Sequence, residues 1–196
     1  MIVLWLLVFA ALTVLLAWLR PRLRGVAGQA AVSRKLRRYC AESADDLILP
    51  DGRGGLTQVD HIALTAAGLL VIETKNYSGL VFGKASDRTW TQCIGRQRHT
   101  FQNPLRQNYG HIKAVQTMSP GVPVAGVVVF TGSAQFPNGY PEGVETLFEL
   151  KMRLAPERGI SIPAEYRRAW RAVLEGARTD HESRRAHLEA VRSRRR

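Results

Sequence analysis

The sequence predicts an α/β domain, a mixed sheet flanked by helices and preceded by one transmembrane helix. Three observations predict it. The first twenty residues are almost wholly apolar, strand-like and helix-like segments alternate through the middle, and "VPVAGVVVF" has the composition of a fully buried strand. A length of 196 residues suits one domain with appendages, and a hydrophobic content of 45% can supply its core.

The opening stretch, "MIVLWLLVFAALTVLLAWLR", has no charged side chain before Arg20. As a helix, Ile2 to Leu19 would run about 27 Å, close to the ~30 Å hydrocarbon core of a bilayer. Trp5 and Trp18 lie towards its ends, where interfacial indoles prefer to sit. No Lys or Arg precedes the apolar run and "RPRLR" follows it. That pattern favours a retained anchor over a cleaved signal peptide, with the C-terminal side in the cytoplasm of a cell-membrane protein. The expected organisation is an anchor at 1–20, a basic linker at 21–28, the main domain at 29–150 and a basic helical extension at 151–196.

Gln29 to Ala44 reads as an amphipathic helix, with Ala30, Val32, Leu36, Tyr39 and Cys40 at near-helical spacing between arginines. "DDLILPDGRGG" gives a short strand and a turn. Thr57 to Thr65 and Leu69 to Lys75 read as two strands joined by "AAG". "LVFGKASDRTW" adds one or two short strands. "NPLRQNYGHIKAVQTM" then opens a helix, with Asn103 as N-cap and Pro104 at its first position. Leu105, Tyr109, Ile112, Val115 and Met118 mark its expected apolar face. From Pro163 onward the pattern is helical and strongly basic, ending "RSRRR".

The formal net charge of +12 points to an anionic partner, nucleic acid or an anionic lipid surface. Two cysteines without a CxxC motif do not make a disulfide framework or a zinc site. His61, His99 and His111 have no zinc-site spacing, no nucleophile elbow occurs, and "GRGG" at Gly52 to Gly55 lacks the lysine of a phosphate loop. Arg96, Arg98, His99 and Phe101 make either a strand-binding surface or a solvated loop. The basic C-terminus touches nucleic acid or an inner leaflet, or is simply a solvated helix.

Three charges remain among the apolar strands: Asp60, Glu73 and Lys75. A turn centred between Ala66 and Ala67 makes antiparallel partners sum to 133. Asp60 then opposes Glu73, and Lys75 shares the face of Glu73. Opposed carboxylates repel, and a divalent cation between them relieves the repulsion. Lys75 would sit beside the ion, placed to orient a water or to steady phosphorane charge. The competing reading is an ordinary ion pair at a sheet end, and a bulge at Gly68 would undo the opposition.

These residues resemble the core of the PD-(D/E)xK nuclease superfamily. Their context, "TQVDHIAL", "GLLVIETKNYSG", Trp90, Gln92, "FQNPLRQN", "HIKAV" and "VVVF", is similar to its nuclease-related domain, NERD, over roughly Gly25 to Phe130. The resemblance implies a restriction-endonuclease-like fold, with Asp60 and Glu73 as metal ligands, the carbonyl of Thr74 completing the shell, Lys75 as catalytic lysine and Gln107 as a supporting residue. It implies Mg²⁺ or Mn²⁺ as cofactor, DNA as substrate and metal-dependent phosphodiester hydrolysis. One departure stands out: the family's first helix usually carries Gly-Glu, and here Gly28 is followed by Gln29. An amide is a poorer ligand for a hard cation. It keeps alive two alternatives, a catalytically impaired nucleic-acid-binding module and a membrane scaffold with a nuclease-like fold.

Overall fold

A computed structural model describes residues 25–178, with Met1, Trp5 and Phe9. Apart from Trp5 and Phe9, the expected anchor at 2–19 lies outside the described residues, as does the basic tail after residue 178. Among the described residues no helix is long and apolar enough to cross a membrane.

The first described helix, α1, covers 25–39, and nine strands and three further helices follow. Strands β1 (Glu42–Pro50), β2 (Leu56–Thr65), β3 (Gly68–Lys75), β7 (Val124–Phe130) and β9 (Val144–Thr146) form a mixed sheet in the order β1-β2-β3-β7-β9. β1, β2 and β3 are antiparallel neighbours, while β7 runs parallel to both β3 and β9. Strands β4 (Gly79–Phe82), β5 (Thr89–Ile94), β6 (Gln97–Gln102) and β8 (Ala134–Gln135) form a second mixed sheet, ordered β6-β5-β4-β8. The helices are α2 (Pro104–Met118), α3 (Leu147–Leu154) and α4 (Ala164–Gly176).

Alternation along the strands splits the core of the first sheet in two. Ile62, Leu64, Leu69 and Val71 pack with Ala114 and Val115 of α2 and with Trp170 and Val173 of α4. Ala63, Leu70, Ile72, Val127 and Val129 pack with Val32 and Leu36 of α1 and with Leu150 and Leu154 of α3. A third cluster, built on Trp90, Phe130 and Val144, joins the two sheets.

Several expectations are corrected. Residues 25–28, assigned to a linker, belong to α1, which ends at 39 because β1 begins at Glu42. Residues 151–176 are not an appended extension. Leu154, Ile162, Trp170 and Val173 are buried in the core, which needs α4 to cover that face of the sheet. The apolar face expected for α2 is rotated: its buried residues are Pro104, Asn108, His111, Ala114 and Val115, and Tyr109 is exposed. Two polar groups win places in the interface because the sheet offers them partners. The Asn108 amide donates to the carbonyls of Val71 (3.4 Å) and Val127 (3.1 Å), and His111 meets Glu73 and Thr57. Residues 97–102 form a strand rather than a loop, so Arg98 points to the face opposite His99 and Phe101. They cannot act as one patch.

Candidate active site

The β2–β3 hairpin sets the register that places the charges. His61 pairs with Ile72, Ile62 with Val71 and Thr65 with Gly68, so partners sum to 133 as the turn requires and no bulge intervenes. Gly68 holds φ +123, and a Cβ there would lie 2.2 Å from the carbonyl oxygen of Pro123, so only glycine fits. The ladder stops at His61 and Ile72. Just beyond, the Asp60 carboxylate takes the backbone N–H of Thr74 at 2.9 Å, in place of a strand–strand bond. On the other side, the β1–β2 register skips Asp46, whose φ of 59 is left-handed, opposite Asp60. Asp60 therefore sits where both of its ladders open, a distortion typical of functional sites.

Glu73 lies at the bottom of the site, 2% exposed. Its Oε1 accepts from Lys75 Nζ at 2.5 Å, and the same ammonium donates to Gln107 Oε1 at 3.1 Å. Gln107 is one helical turn before His111 on α2, so both reach the same strand. His111 Nε2 stands 3.2 Å from Glu73 Oε2 without hydrogen-bond alignment, and both atoms are buried with no hydrogen-bond partner among the described residues. His111 Nδ1 is fixed by the Thr57 hydroxyl at 2.9 Å.

The fourth element is α1. A Cβ on Gly28 would meet Thr131 Oγ1 at 2.6 Å and Asn76 Cβ at 2.8 Å, so glycine lets the helix come close to the ends of β3 and β7. Gln29 is thereby brought to Asp60, and its Nε2 donates to Asp60 Oδ1 at 3.1 Å.

Electrostatics follow from this packing. Burial pushes the Asp60 carboxyl above its ordinary range, and the Glu73 charge adds to the effect, outweighing the Thr74 N–H and the Lys75 cation. Burial also opposes charge on Glu73, but His111 and Lys75 beside it hold its carboxyl below the usual range. Burial works against the Lys75 ammonium too, and the neighbouring Glu73 overrides it, raising Lys75 so that it stays a cation at neutral pH.

On the back of the same strands, His61 joins Asp45 Oδ1 (2.7 Å) to the Thr74 hydroxyl (3.0 Å) and fixes the peptide between Glu73 and Lys75. The site opens into a groove of about 1110 Å³ walled by the β1–β2 loop, α2 and the second sheet, with Arg53, Lys75, Arg106 and Lys113 along it. Asn103, wholly buried, supports that wall. Its Oδ1 caps α2 through Leu105 N, and its Nδ2 holds the carbonyls of Lys84, Ala85 and Asp87.

Asp60, Glu73, Lys75 and Gln107 thus converge. Of the histidines without zinc-site spacing, His61 belongs to the hairpin itself and His111 packs against it. Only the four-residue spacing from Gln107 hints at His111 in the sequence. Among the described residues no group of three His, Cys, Asp or Glu side chains is set to hold a metal. Two carboxylates are the kind of oxygen donors a hard cation takes, and Glu73 Oε2 faces only the His111 ring, at 3.2 Å.

Fold and site together define a mixed α/β domain whose recessed Asp–Glu–Lys cluster opens on a basic groove. Residues 24–131 match the model of the nuclease-related domain, NERD, more than half of the chain, and the protein belongs to that family. It is 39% identical over 99 residues to a protein of Bacillus anthracis described only as uncharacterized, a match covering 49% of this chain and 47% of that one. The chain thus spans about half the length of the curated relative it matches. No solved structure matches it.

Proposed function

We propose that this protein is a membrane-anchored nuclease that hydrolyses phosphodiester bonds in DNA with a divalent metal ion. The observation that carries the reading is the buried Glu73 carboxylate, held by Lys75 through Oε1 and facing the His111 ring through Oε2, next to Asp60 behind a basic groove. A carboxylate buried this deeply is costly unless it is paired or takes up a cation. Asp60, Glu73 and the Thr74 carbonyl would hold Mg²⁺ or Mn²⁺, which supplies positive charge at the scissile phosphate and acidifies bound water.

The chain's own residues supply the rest. Lys75, raised and protonated, serves as a hydrogen-bond donor and fixed cation, suited to orienting a water and steadying the extra charge of a phosphorane. Gln107 and Glu73 fix its ammonium in place. Arg106, Arg53 and Lys113 face phosphates along the groove. The 2–19 segment would hold the domain at the cytoplasmic side of the bilayer.

The test is cleavage of plasmid DNA by the full-length chain with Mn²⁺ or Mg²⁺. Cutting should vanish with EDTA and in Glu73→Gln, while salt-sensitive DNA binding persists. A second reading, nucleic-acid binding without hydrolysis, is favoured by one observation: Gln29 offers Asp60 an amide rather than a third carboxylate. Binding without cleavage under every metal would decide for it.

A further inference from the structure

The groove is not lined by cations alone. Tyr109, 60% exposed, stands on α2 between Arg106 and Lys113, with the Lys113 ammonium 5.4 Å from its ring centroid. Tyr77 and Phe101 line the same groove, their rings edge to face at 4.6 Å. The apolar face expected for α2 placed Tyr109 in the core, yet the helix turns it outwards, where no packing role accounts for it. Duplex DNA hides the faces of its bases, so a duplex gains from this groove only through its phosphates. Unpaired bases can stack on the rings while the phosphates meet the interleaved cations.

We infer that the groove binds single-stranded nucleic acid, its bases stacked on Tyr109 and on the Tyr77–Phe101 pair while its backbone runs past Lys75 and Arg106. The inference rests on the nuclease reading and deepens it by naming the substrate as unpaired strands or ends. Arg53 belongs to the same surface. Its loop is pinned by Asp51 Oδ1, which accepts from the backbone N–H of Arg53 and of Gly55, both at 2.8 Å.

The test uses the full-length chain in EDTA, so that binding is read without chemistry. Fluorescence anisotropy compares a labelled oligothymidylate with a duplex of equal length at equal salt. The single strand should bind about tenfold tighter, Tyr109→Ala should weaken it about tenfold without moving the duplex, and Tyr109→Phe should restore it. Because Tyr109 is exposed, the alanine variant keeps its core. Equal affinity for both forms, or a Tyr109→Ala effect that is absent or equal for both, overturns the inference. Adding Mn²⁺ separates it from the nuclease reading. A single-strand preference without cutting supports the groove and removes the hydrolysis, whereas cutting confined to duplex overturns the groove and leaves the hydrolysis.

Discussion

The two faces of the β2–β3 hairpin each bury a histidine against a carboxylate, and the pairs are finished differently. Facing α1 and α3, His61 uses both ring nitrogens, one on Asp45 and one on the Thr74 hydroxyl. Facing α2, His111 has Nδ1 on Thr57, but its Nε2 and the nearby Glu73 Oε2 have no hydrogen-bond partner among the described residues. A saturated network rigidifies a fold, and a half-saturated one in the same interior is a candidate for binding or chemistry. The hairpin separates the tasks by alternation: residues 61 and 74 brace the backbone that residues 60, 73 and 75 use.

The sharpest way to break this contrast is at Lys75. Lys75→Ala should lower hydrolysis of labelled DNA about 10²–10³-fold at saturating Mn²⁺ while groove binding in EDTA persists. An equal loss in His61→Asn, assayed on folded protein, would erase the division between the faces. The next effect is on stability. His61→Ala leaves Asp45 and the Thr74 hydroxyl without their partner and opens a cavity, so urea unfolding should show a loss of about 3 kcal/mol. His111→Ala, which opens a similar cavity but removes one hydrogen-bonded ring nitrogen rather than two, should cost less, and part of its cost should be lost below the ordinary carboxylate pKa as Glu73 takes up a proton.

Much of this was legible beforehand for identifiable reasons. The hairpin register followed from a two-residue turn and side-chain alternation, and the α2 start from Asn103-Pro104, which the structure uses as cap and first position. The buried face of α2 was not legible, because periodicity ranks Ile112 and Met118 above Asn108 and cannot see the strand carbonyls that its amide satisfies. His111 was hidden for the same reason: its partners come from β2 and β3, thirty-eight and fifty-four positions away. The stretch from 131 to 162 offered too little pattern to reveal β8, β9 and α3, though Leu150 and Leu154 complete the core behind His61.

Gln29 tests how open the site is to a cation. In Gln29→Glu a third carboxylate replaces the amide that now donates to Asp60. Ligand charge tunes affinity for hard cations, so Mn²⁺ measured by calorimetry should bind about tenfold tighter. Without metal the same variant should melt lower, since it adds repulsion to a carboxyl already raised by burial and Glu73. Unchanged Mn²⁺ affinity would place the ion away from Asp60.

The smallest expected effect concerns Asp60 alone. Its carboxyl is raised in the folded state, by burial first and the Glu73 charge second. Between the ordinary carboxylate pKa, about 4, and the raised value, the native protein therefore holds a proton that the unfolded chain has released. Stability must fall as pH rises through that interval. Asp60→Asn removes the dependence, and its amide oxygen can still accept from Thr74 N–H. In EDTA it should be more stable than the natural chain at neutral pH, with the gap closing near pH 4. Glu73 contributes the opposite sign: its lowered carboxyl stabilises above the ordinary pKa and loses that effect on acidification. Millimolar Mn²⁺ should reverse the order, because an ion that binds only the folded state stabilises the protein that retains Asp60. An Asp60→Asn variant that melts lower at every pH in EDTA would show that the carboxylate belongs with the saturated face, bracing the opened ladder through Thr74, and that the cation site must be sought without it.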